Sequence, residues 1–312
     1  MIYLKRCLFG ILWIGFQLAT AQAQSTYPLS KDSKRILFIG NSITYAAHYV
    51  DFTVAALYLE NPGSKMEAIN VGLPSETASG LSEPGHAGGR FPRPNLHDRL
   101  ERTLEEVKPD LVISCYGMND GIYMPLDEER FARFREGIQR LHEAATQRSI
   151  PIIHLTPPIF DPKKDPAYAE VLDTYSEWLL SQRMNAQWQV IDLHFPMKEY
   201  LLAERKTNPD FFLAEDAVHP NETGHWIMAQ SLLEGLGLPE AKRKASPDTY
   251  FDTKASGQEV LALVKKDQSL TKDAWLTHIG HDRPGMKEGV PLKQATKESK
   301  KNRKEIRRLS NL

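Results

Sequence analysis

The sequence predicts an α/β fold in which helices cover both faces of a parallel sheet. Two observations lead there. Between residue 35 and about residue 236, short apolar runs alternate with longer helical patterns. One of those runs, residues 111–116 (LVISCY), is continuously apolar, as a strand covered on both sides must be.

Each element has its own signal. Arg35–Ile39 (RILFI) is a strand ending at Gly40, and residues 45–60 are helical. Met66–Val71 forms the second strand. Residues 97–107 carry Leu100, Leu104 and Val107 at helical spacing. After the strand at 111–116, residues 127–148 form an amphipathic helix with Phe131, Phe134, Ile138 and Leu141 on one stripe. Ile150–Leu155 is a strand stopped by Thr156-Pro157-Pro158. A helix over 166–183, a strand over Gln189–Leu193 and a helix from about Glu222 to Leu236 complete the domain, 33–238. In such a sheet, sites form beyond the carboxyl ends of the strands.

Two segments break the alternation. Residues 72–95 are rich in Gly and Pro, and a loop this long inside a compact domain is functional or disordered. Residues 240–312 form a C-terminal extension with one good helical segment, Gly257–Lys266. It is read as a small add-on or a partly disordered tail. Its end is basic, with eight Lys/Arg against two Glu over 293–312, and is expected to be a solvated helix or frayed end.

The amino terminus reads as a signal peptide, 1–23. Lys5 and Arg6 precede the apolar stretch 7–21, and Ala21-Gln22-Ala23 offers a cleavage site. The stretch is short for a retained membrane anchor. The mature protein is therefore expected to be periplasmic or secreted, with no stable membrane span. Cleavage leaves Cys115 as the one cysteine, a small buried core residue that has no disulfide partner. The whole chain has 312 residues, 41% hydrophobic, with a formal net charge of −1, which argues against nucleic acid as a partner.

The chemistry lies just after the strands. Gly40-Asn41-Ser42 follows the first, where a serine hydroxyl meets a helix N-terminus; taken alone it reads first as a helix cap. Asn70-Val71-Gly72 follows the second, and a glycine there lets backbone N–H approach a ligand. Gly117-Met118-Asn119-Asp120 follows the third. Asp216 and His219 stand three residues apart, so the carboxylate can orient the imidazole and leave Nε2 free. His48, His86, His97 and His142 read as surface or cap residues, and His154 as core.

These blocks, in this order and at these strand ends, resemble the SGNH/GDSL hydrolases over about residues 33–238. The resemblance implies a flavodoxin-like three-layer sandwich with five parallel strands. It implies a serine esterase with Ser42, His219 and Asp216 as catalytic residues. The oxyanion hole it implies draws on the backbone N–H groups of Ser42 and Gly72 and the Asn119 amide. Asn41 stands where the family usually has Asp, which bears on local turn geometry. Asp120 is assigned no role beyond capping the next helix.

No metal or other cofactor is expected: His154, His194 and His225 are scattered, and no phosphate loop is present. The glycosylation triplet at Asn221 falls inside the active-site block and is read as chance. By family analogy and location, the expected substrate is an acylated carbohydrate or other small ester, and the expected reaction removal of O-acetyl groups. His86, Arg90 and Phe91 are candidate substrate contacts. Tyr116, Tyr123 and Phe160 stand near strand ends, where they stack on a sugar or pack on loops. A lipase or lysophospholipase, an acyltransferase, and an inactive carbohydrate-binding or envelope module are the alternatives.

Overall fold

The computed structural model describes Tyr27, Leu29 and residues 34–312. The signal peptide expected over 1–23 lies outside the described residues. Five strands form one parallel sheet in the order β2-β1-β3-β4-β5. They are β1 (Arg35–Gly40), β2 (Glu67–Asn70), β3 (Leu111–Cys115), β4 (Ile152–Leu155) and β5 (Gln189–Ile191). Every residue of β3 is buried, as its unbroken apolar run requires. Phe38 of β1 sits in register between Asn70 of β2 and Ile113 of β3.

The helices are α1 (Ser42–Ala46), α2 (His48–Glu60), the short turn α3 (His86–Gly89), α4 (Leu100–Val107), α5 (Glu128–Thr146), α6 (Pro166–Asn185), α7 (His194–Glu204), α8 (Glu222–Gly235), α9 (Pro247–Phe251), α10 (Gly257–Ile279) and α11 (Leu292–Ser310). Phe52 of α2 meets Trp226 of α8 edge-on at 5.6 Å, and Phe134 of α5 stacks on Tyr175 of α6 at 4.2 Å. These aromatic contacts join neighbouring helices of the layers that cover the sheet.

Several boundaries differ from the sequence reading. The helix expected over 45–60 is two helices, because Ala47 adopts a left-handed conformation (φ 71°). The one expected over 97–107 begins as a 3₁₀ turn, Leu96–Asp98. The sequence reading had no helix at α7, where Phe195-Pro196 interrupts the pattern. Asn41 does cap α1, its Oδ1 accepting from Ile43 N at 3.0 Å, so the Asn for Asp exchange preserves the turn. Cys115 is buried and unpaired, and burial pushes its thiol up to about 12.

The extension is neither disordered nor frayed. The helix begun at Gly257 continues to Ile279 as α10, which packs on α2 and β2, and the basic end is the helix α11 folded back on α10. Gln268 donates to the Ala68 carbonyl of edge strand β2 at 3.0 Å, covering an edge that would otherwise present a free acceptor. Asp267 accepts from Ser299 and Asn302, each at 3.0 Å. Arg303 pairs with Glu67 at 3.2 Å. The buried face of α11 is Ala295, Ser299, Asn302, Ile306 and Ser310. Leu292, Ala295, Ile306 and Leu309 join that face at helical spacing, with Ser299 and Asn302 interrupting the stripe.

Candidate active site

The strand order reverses between β1 and β3, which opens a crevice at their carboxyl ends. Ser42 leaves β1 through Gly40-Asn41 and opens α1. Its hydroxyl lies 2.9 Å from His219 Nε2, and His219 Nδ1 lies 2.6 Å from Asp216 Oδ2. Asp216 Oδ1 accepts the backbone N–H of Val218 at 2.9 Å and of His219 at 2.8 Å. With Nδ1–H donating to the carboxylate, Nε2 is the acceptor for the serine proton. Burial pushes the Asp216 carboxyl up, but the His219 side chain and these backbone bonds outweigh it and hold the group below its ordinary range. The turn carrying the pair is anchored from outside. Its Ala217 carbonyl accepts from Asp161 N at 3.2 Å, and Asp161 is clamped by Arg205 through two bonds.

On the opposite side of the crevice stands Asn119, 3% exposed. Its Nδ2 donates to the Glu76 carbonyl at 3.1 Å, and its Oδ1 accepts from Tyr123 Oη at 3.0 Å. One amide N–H is thereby fixed and the second remains. Gly72 differs from expectation: its N–H is taken by Asn70 Oδ1 at 2.9 Å. A glycine is needed there for packing, since a Cβ would collide with the Tyr45 backbone nitrogen. The next turn of the loop leaves a backbone N–H unengaged. Glu76 N donates to Leu73 O, closing a turn with Pro74 and Ser75 at its centre. Ser75 has φ 70°, a position that ordinarily calls for Gly. Its N–H has no acceptor among the described residues, and it stands one residue before the carbonyl that holds Asn119.

That turn is fixed from beneath. Glu76 is fully buried and accepts from Arg99 Nε at 2.6 Å, Arg99 Nη2 at 2.7 Å and Tyr116 Oη at 2.6 Å. Tyr116 is therefore a structural donor, 2% exposed, and not a platform for a sugar. Phe160 is likewise packed, edge-on to Tyr168 at 5.2 Å. Asp120 does not cap a helix; Asp127 caps α5. Its two carboxylate oxygens instead accept from Ser79 N and Gly117 N, both at 2.8 Å, tying the 72–95 loop to the turn after β3. The loop is thus ordered, with Arg93 paired to Glu83 at 2.6 Å and lying over the Tyr123 ring.

Of the candidate substrate contacts, His86 and Phe91 meet edge-on at 5.4 Å. Arg90 is exposed, its Nε donating to the Ala87 carbonyl within the same turn. Asn221 caps α8 through Oδ1 and donates to Phe212 O through Nδ2, so its amide is already engaged in the fold. His154 is core, hydrogen-bonded to Ser114 at 2.9 Å, and burial lowers it to about 3. A second Asp–His pair, Asp173 with His194 at 2.8 Å, joins α6 to α7; its partners stand 21 residues apart, beyond any local motif.

The family model for GDSL-like lipases and acylhydrolases matches residues 38–227, more than half of the chain. The chain belongs to the GDSL-like lipase/acylhydrolase family. This acylhydrolase is, by that membership, a carboxylic ester hydrolase. Among solved structures it is similar to a catalytic mutant of an acetylxylan esterase from Geobacillus stearothermophilus, at 21% identity and TM-score 0.53, over 68% of this chain and 97% of that one. It is similar to an α/β hydrolase enzyme from the metagenome of Lake Arreo, Spain, at 22% identity and TM-score 0.54, over 68% and 98%. It also resembles a gut microbial diltiazem-metabolizing enzyme at 20% identity and TM-score 0.53, spanning 68% of this acylhydrolase and only about half, 49%, of that longer chain. At these identities the likeness is one of fold. No curated protein matches the sequence.

Proposed function

We propose that this acylhydrolase is an exported serine esterase that removes O-acetyl groups from a carbohydrate. The observation that carries the reading is the unbroken chain from Ser42 Oγ through His219 to Asp216 at the mouth of the β1/β3 crevice. Ser42 Oγ attacks the ester carbonyl as His219 Nε2 takes its proton, and Asp216 steadies the imidazolium. The oxyanion is received by the N–H of Ser42 at the start of α1, the free N–H of Ser75 and the second amide hydrogen of Asn119. In this reading Ser75 takes the place first given to Gly72. His219 then protonates the leaving alcohol, and water repeats the cycle on the acyl-enzyme.

Export rests on the amino-terminal pattern over 1–23. It is compatible with the described residues, in which no helix is long and apolar enough to cross a membrane. The carbohydrate reading is supported by the acetylxylan esterase among the structural neighbours. The test is acetate release by the mature protein and its Ser42→Ala variant from a panel of acetylated polysaccharides, with p-nitrophenyl acetate alongside. Ser42→Ala should lower kcat by several orders of magnitude while melting as the parent does. Full activity in that variant would sink the mechanism.

A further inference from the structure

The basic end of the chain plays no part in the ester chemistry, yet the fold gives it a definite shape. Residues 293–312 hold eight Lys/Arg against two Glu, while the rest of the chain is net acidic. Three of those eight cations are paired: Lys301 with Glu298 at 2.9 Å, Arg303 with Glu67 at 3.2 Å and Arg308 with Glu305 at 2.7 Å. The other five, Lys293, Lys297, Lys300, Lys304 and Arg307, pair with no carboxylate among the described residues.

These five follow one another in steps of four, three, four and three residues. On a helix that spacing makes a single stripe. It runs along the side of α11 opposite Ala295, Ser299, Asn302 and Ile306, which are buried against the fold. Lys293, Lys297, Lys300 and Lys304 are exposed and Arg307 is half-buried. At about 1.5 Å per residue the stripe is roughly 21 Å long. Near its end it opens on a shallow depression beside Gly63, lined by Lys304, Arg307, Arg308 and Asn311. The helix cannot roll to hide it, because Ser299 and Asn302 are bonded to Asp267 and Arg303 holds Glu67.

Helix stability does not account for the stripe. Like charges three and four residues apart repel, and it contains four such pairs in succession. Lys293 lies in the first turn, where the helix dipole disfavours a cation and no acidic residue offsets it. A face that only meets water would intersperse glutamates, as Glu298 and Glu305 do on the neighbouring side.

Five unpaired cations in a row call for a polyanion. A helix that binds a bilayer surface buries an apolar face in lipid. In α11 that face is already used, since Leu292, Ile306 and Leu309 pack on the core and no large apolar side chain of the helix is exposed. A row one residue wide, its charges about 5 Å apart along the axis, suits a linear polymer instead. That step is close to the length of one sugar unit.

We propose that the outer face of α11 docks an acidic polysaccharide, the polymer that carries the acyl groups removed in the crevice. Arg303 meets Glu67, the first residue of β2, so the stripe lies towards the amino ends of the strands and the crevice at their carboxyl ends. The stripe is therefore an anchoring surface and not part of the crevice. A chain held there raises the local concentration of its own esters around Ser42. The surface lies outside residues 38–227, which match the family model. The kind of polyanion rests on the carbohydrate reading above, whereas the polyanion surface itself rests on charge and geometry.

The test is calorimetric binding of unacetylated polygalacturonate to the mature protein, with neutral dextran and phosphatidylglycerol vesicles alongside. Wild type should bind polygalacturonate and not dextran. Its affinity should fall about 10- to 100-fold between about 50 and 200 mM salt, as the release of counterions from several contacts gives. Lys293→Gln, Lys297→Gln, Lys300→Gln and Lys304→Gln combined should weaken binding by about 10-fold or more and flatten the salt dependence. Gln is a good helix former and removes the repulsion, so this variant should melt at or above wild type. Lys65→Gln, Lys108→Gln, Lys164→Gln and Lys206→Gln combined removes the same charge from exposed lysines elsewhere and should leave the affinity nearly unchanged. Hydrolysis of p-nitrophenyl acetate should be the same in wild type and both variants. Its absence from all three would count against the esterase reading, while the binding measurement still decides the surface. No binding of polygalacturonate by wild type at the lower salt, an equal loss in both variants, or tighter binding to the vesicles than to the polymer would overturn the proposal.

Discussion

Replacing Glu76 by Gln tests whether the buried ion pair beneath the loop holds the site together. Glu76 is 0% exposed and Arg99 2%, and the carboxylate accepts three bonds of 2.6–2.7 Å from Arg99 and Tyr116. Glutamine keeps the shape but turns one acceptor oxygen into an NH₂ group facing a donor. The guanidinium then remains buried with the Val71 carbonyl as its other acceptor, while Arg99 Nη1 is already without a partner. Removing one member of a buried pair costs about 3–5 kcal/mol, most of it the exposed penalty of the charge left behind. Urea unfolding of Glu76→Gln, Glu76→Leu, Arg99→Met and the double variant Glu76→Leu with Arg99→Met measures this directly. Each single change should cost about 3 kcal/mol or more, and the double change clearly less than their sum. Kinetics on p-nitrophenyl acetate should follow, because the Glu76 carbonyl is what orients Asn119. Single changes costing under 1 kcal/mol, or strict additivity in the double, would refute the reasoning.

Further outcomes follow from the same structure. Asn119→Ala removes the proposed oxyanion donor and should lower kcat by about 10²–10³ with little change in the melting temperature. Ser75→Gly should raise stability by roughly 0.5–1 kcal/mol in thermal unfolding, the relief of a left-handed serine less the extra chain entropy of glycine. Asp51 is 5% exposed with Oδ1 unpartnered, and burial raises its carboxyl to about 7 from 3.8, so between those values the unfolded chain is ionised while the folded one keeps its proton and stability falls as pH rises, by about 4 kcal/mol at most. Asp51→Asn should therefore melt higher than wild type at pH 8 and alike at pH 4; equal melting temperatures at pH 8 would show that Lys265 and Lys272 already compensate the charge.

The sheet and the Asp216–His219 pair were legible in the sequence because both are written locally, whereas Ser42, 177 residues before His219, was joined to them only by the family resemblance. An all-apolar run such as 111–116 has few readings other than a buried strand, and Asp216 and His219 stand within one turn. What escaped depends on contacts that spacing cannot express. The engagement of the Gly72 N–H by Asn70, and the vacancy at Ser75, follow from how one turn closes; Pro74 at its second position was the available clue. Asp120 looked like a cap because Asp before a helix usually is one. Arg99 and Glu76 are 23 residues apart, and nothing local pairs them. The extension escaped for a different reason: the stripe of α11, Leu292, Ala295, Ile306 and Leu309, is broken by Ser299 and Asn302, which are buried against Asp267, and sits in a run of Lys and Arg that reads as solvated.

That polar interface explains why the extension and the crevice behave as one structure. Lys272 of α10 donates to the Tyr45 carbonyl at 2.8 Å and lies over its ring, and Asp273 accepts from the Tyr45 hydroxyl at 2.9 Å. Tyr45 is in the helix whose first residue is Ser42, so α10 constrains the far end of the helix that carries the nucleophile. The same helix closes the β2 edge through Gln268. An extension whose α10 stood free in solvent would have left α1 held by the core alone. Packed as it is, the extension fixes the helix of the nucleophile and the strand that leads to the Ser75 turn through contacts on neighbouring elements.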